Sequence, residues 1–350
     1  MIVAASAWAG ISRINWLPVP AMIAISIFLL EMPQCGARGL VDYLRRPFWW
    51  GIAGGLSAFA SNWLYKRFSG NDPSIFNTSF TSDLLWYRLL PNATFPPGIL
   101  LSSLIVLLPL ALVLAGVLWG RRLSLLRKAG IAAMLLVLLG GGIVVSTKIG
   151  GGSNLHNIDA FLVLLLVCAS WAAFNRAVPE VSAAPLRVHL VVVLLAVMVP
   201  IFTLFQNIYP FPVKSPTARL DAQSDTAEIA ARVKAATDGG GRVLFIWQRQ
   251  LMTFGQVSGV PMEPRYETVD LMEMAMSDNE AYLNQFYEDL REHRFALIIA
   301  DNQRIVFKSL DESFSEENNV WVERVLLPLL DSYRAEKTLP YSGTRFMVPK

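Results

Sequence analysis

The stretch "STKIGGGSNLHNIDAF", Ser146 to Phe161, separates two apolar runs. A lysine, three consecutive glycines, two asparagines, a histidine and an aspartate interrupt sequence that otherwise suits hydrocarbon. The flanking runs, Ile131–Ser146 and Ile158–Phe174, lie near the lower limit of about 17 residues for a bilayer span. If both cross a membrane, the polar stretch is a hairpin at one face, and its side fixes the sides of the other loops.

Composition supports that reading. Of 350 residues, 54% are hydrophobic and only 16% charged, where a soluble domain carries about a quarter charged. Mean hydropathy is +0.44. The expected class is an α-helical polytopic membrane domain with about six spans, followed by a small extracytoplasmic α/β domain. The six runs are Leu17–Met32, Phe48–Tyr65, Pro97–Trp119, Ile131–Ser146, Ile158–Phe174 and Val188–Phe205. Charge marks the division. Residues 208–350 carry 16 Lys and Arg against 21 Asp and Glu, a net of −5; residues 1–207 carry 14 against 6, a net of +8. The basic excess sits in short loops, where it sets orientation, so the pI of 8.9 gives no ground for a nucleic-acid partner.

Arg38, Arg45 and Arg46 in one loop, and Arg121, Arg122, Arg127 and Lys128 in another, mark the cytoplasmic side. Alternation puts the 66–96 loop, the 147–157 loop and the tail outside. Met1–Ile11 is apolar and too short to span. It reads as the closing turns of a helix whose beginning is missing, so the chain is expected to be the C-terminal part of a longer protein, with a separate N-terminal half as a partner. The alternative is a short helix lying at the interface. Cys35 and Cys168 make no disulfide framework, and the three histidines form no local cluster, so no metal site is expected.

In the tail, Thr226–Ala236 has helical periodicity, and Arg242–Trp247 and Phe295–Asp301 are buried-strand signals. Asp270–His293 reads as helix, restarted by capping within "SDNE". Asn318–Tyr333 is helical, and "TRFMVPK" is a closing strand. Strands alternating with helices predict a mainly parallel sheet. The strands are followed by neither a GxGxxG nor a P-loop, so no nucleotide cofactor is expected.

Three outward stretches could carry chemistry. In the first, Lys148 precedes Gly150, Gly151 and Gly152, whose backbones reach conformations that form anion-binding nests. Asn154, His156 and Asn157 add hydrogen-bonding groups, and Asp159 opens the next helix, where a carboxylate suits the positive end. This pattern suits phosphate; the plainer reading is a flexible hairpin with Lys148 snorkelling to the interface. In the second, "SDLLWYRLLP" suits a short interfacial helix capped by Ser82 or Asp83. Its Trp86 and Tyr87 belong at headgroup level, and its Arg88 could meet a lipid phosphate; the plainer reading is a membrane anchor. In the third, "SRINWLPVP", Arg13 and Trp16 precede prolines 18 and 20 at a helix start. Asp83 and Asp159 are the weak candidates for a catalytic carboxylate.

Taken together, "SRINWLPVP" and "KIGGGSNLHN" resemble motifs of the GT-C-type glycosyltransferases, closest to the protein mannosyltransferase and aminoarabinose transferase group. There a basic residue, an aromatic and closely spaced prolines open a late span, positions matched here by Arg13, Trp16, Pro18 and Pro20. Related bacterial membrane proteins carry a Lys-Gly-rich-Asn loop, matched by Lys148, Gly150 and Asn154. The resemblance implies a multi-pass protein of the bacterial inner membrane, membrane lipid and a polyprenyl-phosphate-linked sugar as partners, and sugar transfer on the outer face. The family's catalytic acid lies in a first outer loop that this chain does not contain. The competing expectation is a non-catalytic protein that binds lipid phosphate or glycan, or scaffolds an envelope complex.

Overall fold

The structure, a computed structural model, describes the chain except residues 35–38, 70–83, 121–122, 149–154, 181–188, 208–214, 262, 264 and 303. Two compact units emerge. The helical unit holds Met1–Ser69 and Leu84–Tyr209, and the α/β unit holds Pro210–Lys350.

Seven helices build the described part of the helical unit: α1 Ile2–Ser12, α2 Val19–Glu31, α3 Leu40–Phe68, α4 Ile99–Gly120, α5 Leu125–Ser146, α6 Asp159–Ala173 and α7 Leu190–Asn207. Among the described residues, four stretches are long and apolar enough to cross a membrane: Ile14–Glu31, Ile99–Gly116, Leu125–Ser146 and His156–Ala173. The other two expected runs lie in α3 and α7. α3 carries Asp42, Arg45 and Arg46 near its start and Lys66 and Arg67 in its last turn; in α7 the apolar helix Leu190–Val199 is shorter than a span. Even so, α3 turns Phe48, Ile52, Leu56, Phe59 and Trp63 outward, an apolar stripe at helical spacing. α4 exposes Leu101, Leu104, Ile105, Leu108 and Leu112. Surfaces of this kind suit lipid.

Inside, Leu29, Leu30, Ile131, Leu138, Leu164, Leu165, Cys168 and Ala172 form one buried core. α1, α2 and α3 approach each other through small residues, as helices do where packing rather than hydrophobicity drives association. A Cβ on Gly10 would stand 2.2 Å from the Ala58 carbonyl oxygen, and one on Gly54 would stand 2.8 Å from the Ala21 Cβ. The Asn62 amide donates to the Gly10 carbonyl at 2.9 Å.

The α/β unit runs α8 Pro216–Asp238, β1 Val243–Phe245, α9 Gln250–Thr253, α10 Thr268–Met276, α11 Glu280–Arg291, β2 Leu297–Ala300, α12 Ser315–Trp321, a π-helical segment Val322–Leu326, α13 Leu327–Ser332, β3 Tyr333–Thr338 and β4 Arg345–Pro349. As expected from "SDNE", Asn279 caps α11, accepting from the Tyr282 amide at 3.1 Å. The four strands lie in the order β1-β2-β4-β3. Only β1–β2 is parallel, with Leu244 opposite Ile298; β2–β4 and β3–β4 are antiparallel. The expected mainly parallel sheet is therefore corrected to a mixed one. The strand missed in sequence is β3, where every residue after Tyr333 is exposed. That polarity suits a sheet edge and hid it among helical residues. Ile229 and Val233 of α8 pack against Val243, Phe245, Leu297, Ile299 and Phe346 on one face. Leu271, Phe286, Val325 and Leu329 pack against Leu244, Ile298 and Met347 on the other. With both faces covered, β1 and β2 are apolar runs rather than alternating ones.

Two glycine substitutions separate packing from propensity. Gly10→Ala drives a methyl into the Ala58 carbonyl and is expected to cost about 1–3 kcal/mol. In Gly55→Ala the new Cβ meets nothing within 4 Å, so the change is expected to be neutral or slightly stabilising. Thermal melting of both variants in detergent checks the contrast; equal melting temperatures would refute it.

Candidate functional site

α1 stops at Ser12, Arg13 is extended at φ −147, and Ile14–Trp16 make one 3-10 turn before Pro18 starts α2. A matching turn, His156–Ile158, leads into α6. Gly142 of α5 lets the second turn sit close, since a Cβ there would lie 2.9 Å from Ile158 Cγ2 and 3.0 Å from the Asn157 carbonyl oxygen.

The two turns are joined through Asp159. Its Oδ2 accepts from Arg13 Nη1 at 2.9 Å and from Trp16 Nε1 at 3.0 Å. Its Oδ1 accepts from Asn15 Nδ2 at 3.0 Å and from the Ala160 amide at 2.7 Å. The Arg13 Nη2 also donates to Asn157 Oδ1 at 3.3 Å, and the Asn15 amide to the Asn157 carbonyl at 3.4 Å. Asn157 is buried and His156 exposed. Asp159 thus lies in the first turn of α6, where a carboxylate suits the helix end, but its larger role is to hold the Arg13 turn. With both oxygens accepting from the protein, it is a positioning group rather than an open base.

A third stretch reaches the same end of the bundle. The Leu85 amide donates to the Thr147 carbonyl at 2.7 Å, next to Lys148, whose Nζ is buried. Trp86–Leu89 is a single 3-10 turn rather than the expected amphipathic helix. Trp86 and Tyr87 face outward, whereas Arg88 is fully buried, its guanidinium 5.9 Å from the centroid of the Tyr87 ring. Asn92 is taken up by the turn: its amide donates to the Arg88 and Leu90 carbonyls, and its Oδ1 accepts from the Phe95 amide at 2.9 Å. Asp83, Gly150, Gly151 and Asn154 lie outside the described residues. The structure thus brings Arg13, Trp16, Asn157 and Asp159 into one network and sets the Leu85–Arg88 turn beside Thr147 and Lys148. Asn15, not singled out from sequence, belongs to that network.

At the opposite end of α2 lies a second polar cluster that sequence did not single out. Arg127 is fully buried. Its Nε donates to the Leu29 carbonyl, and its Nη2 to the Leu30 and Val178 carbonyls at 2.8 and 2.9 Å. Its Nη1 meets Glu180 Oε1 at 2.9 Å. The guanidinium satisfies carbonyls that a helix C-terminus leaves open. A signal did exist, since Glu180 is one of only six carboxylates before residue 208, and a charge in so apolar a segment calls for a partner. Partial burial pushes the Glu180 carboxyl up, but Arg127 and the Gln34 and Ser124 amides outweigh it and hold the carboxyl below the usual range.

No family model, curated protein or solved structure matches the chain.

Two measurements follow from these clusters. A double-mutant cycle of Arg13→Ala and Asp159→Asn is expected to give a coupling of about 0.5–1 kcal/mol, the range for a partly exposed ion pair; additive effects would break the proposed link. Glu180 has a lowered folded value, so its stabilisation is present above the ordinary value of 4.5 and lost as pH falls through the folded one. Glu180→Gln should therefore melt below wild type at pH 7, with the gap closing below about pH 4. A gap that does not change with pH would contradict this.

Proposed function

We propose that the Arg13 end of the helical unit holds the phosphate of a polyprenyl-phosphate-linked sugar, and that the chain serves as the C-terminal part of a membrane glycosyltransferase. In this reading six helices cross a bacterial inner membrane, α3 and α7 among them, and the Arg13 end and the α/β unit face outward. The observation that carries it is the convergence of three stretches far apart in sequence on one end of the bundle. They bring Arg13, Arg88 and Lys148 to that end. Among the described residues of the helical unit, Asp159 is the one carboxylate there, because Glu31, Asp42 and Glu180 lie toward the Arg127 end. Basic side chains beside an apolar bundle suit a lipid anion, with the isoprenoid lying along the leucine-rich helix faces. In such chemistry the cations would stabilise the departing phosphate. Asp159, already engaged by four donors, would orient its neighbours rather than act as the acceptor's base.

That engagement also favours a second reading, in which this end binds a lipid phosphate or glycan without catalysis. Lys148→Ala in the intact protein, assayed for transfer from a polyprenyl-phosphate sugar donor, tests the first. A loss of about 100-fold is expected for removing one transition-state cation. Unchanged transfer would remove Lys148 from the site. Polyprenyl phosphate binding by an intact protein that transfers nothing would favour the second reading.

A further inference from the structure

The α/β unit carries a cleft of about 520 Å³ at the C-terminal end of β1, within the size range of small-molecule sites. One wall is a single face of α8, where Asp225, Thr226 and Ile229 follow at helical spacing. The opposite wall is the segment after β1, with Trp247, Gln248 and Leu251. The turn between β3 and β4 closes the third side with Tyr341 and Ser342.

The walls are tied together. Asp225 is nearly buried, and its Oδ2 accepts from the Ser342 amide at 2.7 Å. Lys337 meets Glu228 and Arg232 meets Glu336, clamping α8 to β3. Gln248 adopts φ +65, a conformation uncommon outside glycine, where the chain turns away from the sheet. The crevice beyond strand carboxyl ends is the usual ligand position in open α/β sheets.

The chemistry of the lining selects the ligand. Trp247 and Tyr341 are 39% and 37% exposed, so two large aromatic side chains stay open to solvent in a concave site. The polar groups beside them are a carboxylate, an amide and two hydroxyls, and among the described lining residues none is cationic. Phosphate or carboxylate ligands would find no counter-charge there. The C–H face of a pyranose ring stacks on an aromatic plane, and its hydroxyls hydrogen-bond to carboxylate, amide and hydroxyl groups. A second cleft, of about 530 Å³ near the start of β1, offers no such combination; Arg242 and Arg294 in its wall both pair with Glu263.

We propose that the cleft bounded by α8, the segment after β1 and the β3–β4 turn is a carbohydrate-binding site for one or two neutral sugar rings, with Trp247 and Tyr341 as stacking platforms. The site lies wholly within the α/β unit and does not depend on the phosphate reading of the helical unit. The test uses the full chain in a zwitterionic, sugar-free detergent, titrated with glucose, mannose, N-acetylglucosamine and their disaccharides. Saturation-transfer NMR reads contact and calorimetry reads affinity. Trp247→Ala and Tyr341→Ala are each expected to weaken the best sugar by about tenfold, the scale of one aromatic contact, and Trp247→Phe to recover most of the loss. Both side chains are partly exposed, and unchanged melting temperatures would confirm that the variants fold. Absence of transfer to every sugar, affinities unchanged in both alanine variants, or inorganic phosphate binding in the cleft would overturn the proposal.

Discussion

Asp159 accepts four hydrogen bonds, from Arg13, Asn15, Trp16 and the Ala160 amide. Arg13 and Asp159 are 44% and 29% exposed, so these partners matter less for rescuing a buried charge than for fixing the direction of the groups they join. The consequence is architectural. The turn that starts α2 cannot move independently of the turn that starts α6. At its far end α2 is held by Arg127, which takes up its last carbonyls and ties them to Val178 and Glu180. The central helix of the unit is thus fixed at both ends by charged side chains from distant sequence. The packing between, on Leu29, Ile131, Leu164 and Cys168, is apolar and weakly directional, and the end clusters supply the register it lacks.

The same arrangement divides the labour at the Arg13 end. A carboxylate saturated by four donors orients its neighbours, which leaves its cationic and amide partners held in fixed directions. Preorganised donors of that kind favour an anionic group, because they need not reorient when it arrives. The chemistry proposed for this end is accordingly that of holding a phosphate. In the α/β unit the situation is reversed. There the open cleft is aromatic and slightly acidic, and its walls are fixed by the Asp225–Ser342 contact and the α8–β3 ion pairs.

Much of the fold was legible because its signals are local. Helices α2 to α7 follow the six apolar runs, and β1, β2 and β4 follow short apolar stretches in the tail. Membrane candidacy is clear for four of those helical stretches. It is less so for α3, where charged residues at both ends dilute an outward apolar stripe, a property of one face rather than of the average. The edge strand β3 escaped for a related reason: its residues answer to water along the sheet edge, and polar "YRAEKT" gives no strand pattern without its partner. The direction of strand pairing is likewise not local, since it depends on β4 returning between β2 and β3.

At the site, sequence marked Arg13, Trp16, Lys148 and Asn157 as residue types suited to an anion, and Asp159 as the carboxylate that opens the next helix. It left Asp159 open as a catalytic candidate. Only tertiary structure showed that this carboxylate is engaged by Arg13, about 150 residues away. It also showed that Arg88 is buried rather than exposed to lipid, and that Arg127 closes a helix end rather than merely marking a side. Composition and periodicity by themselves determined that the chain is apolar, helical in its first part and mixed in its tail, because burial energy scales with apolar area wherever it lies. Which polar groups meet was decided by the fold, because hydrogen bonds and ion pairs depend on distances of a few ångströms between groups that the linear sequence keeps far apart.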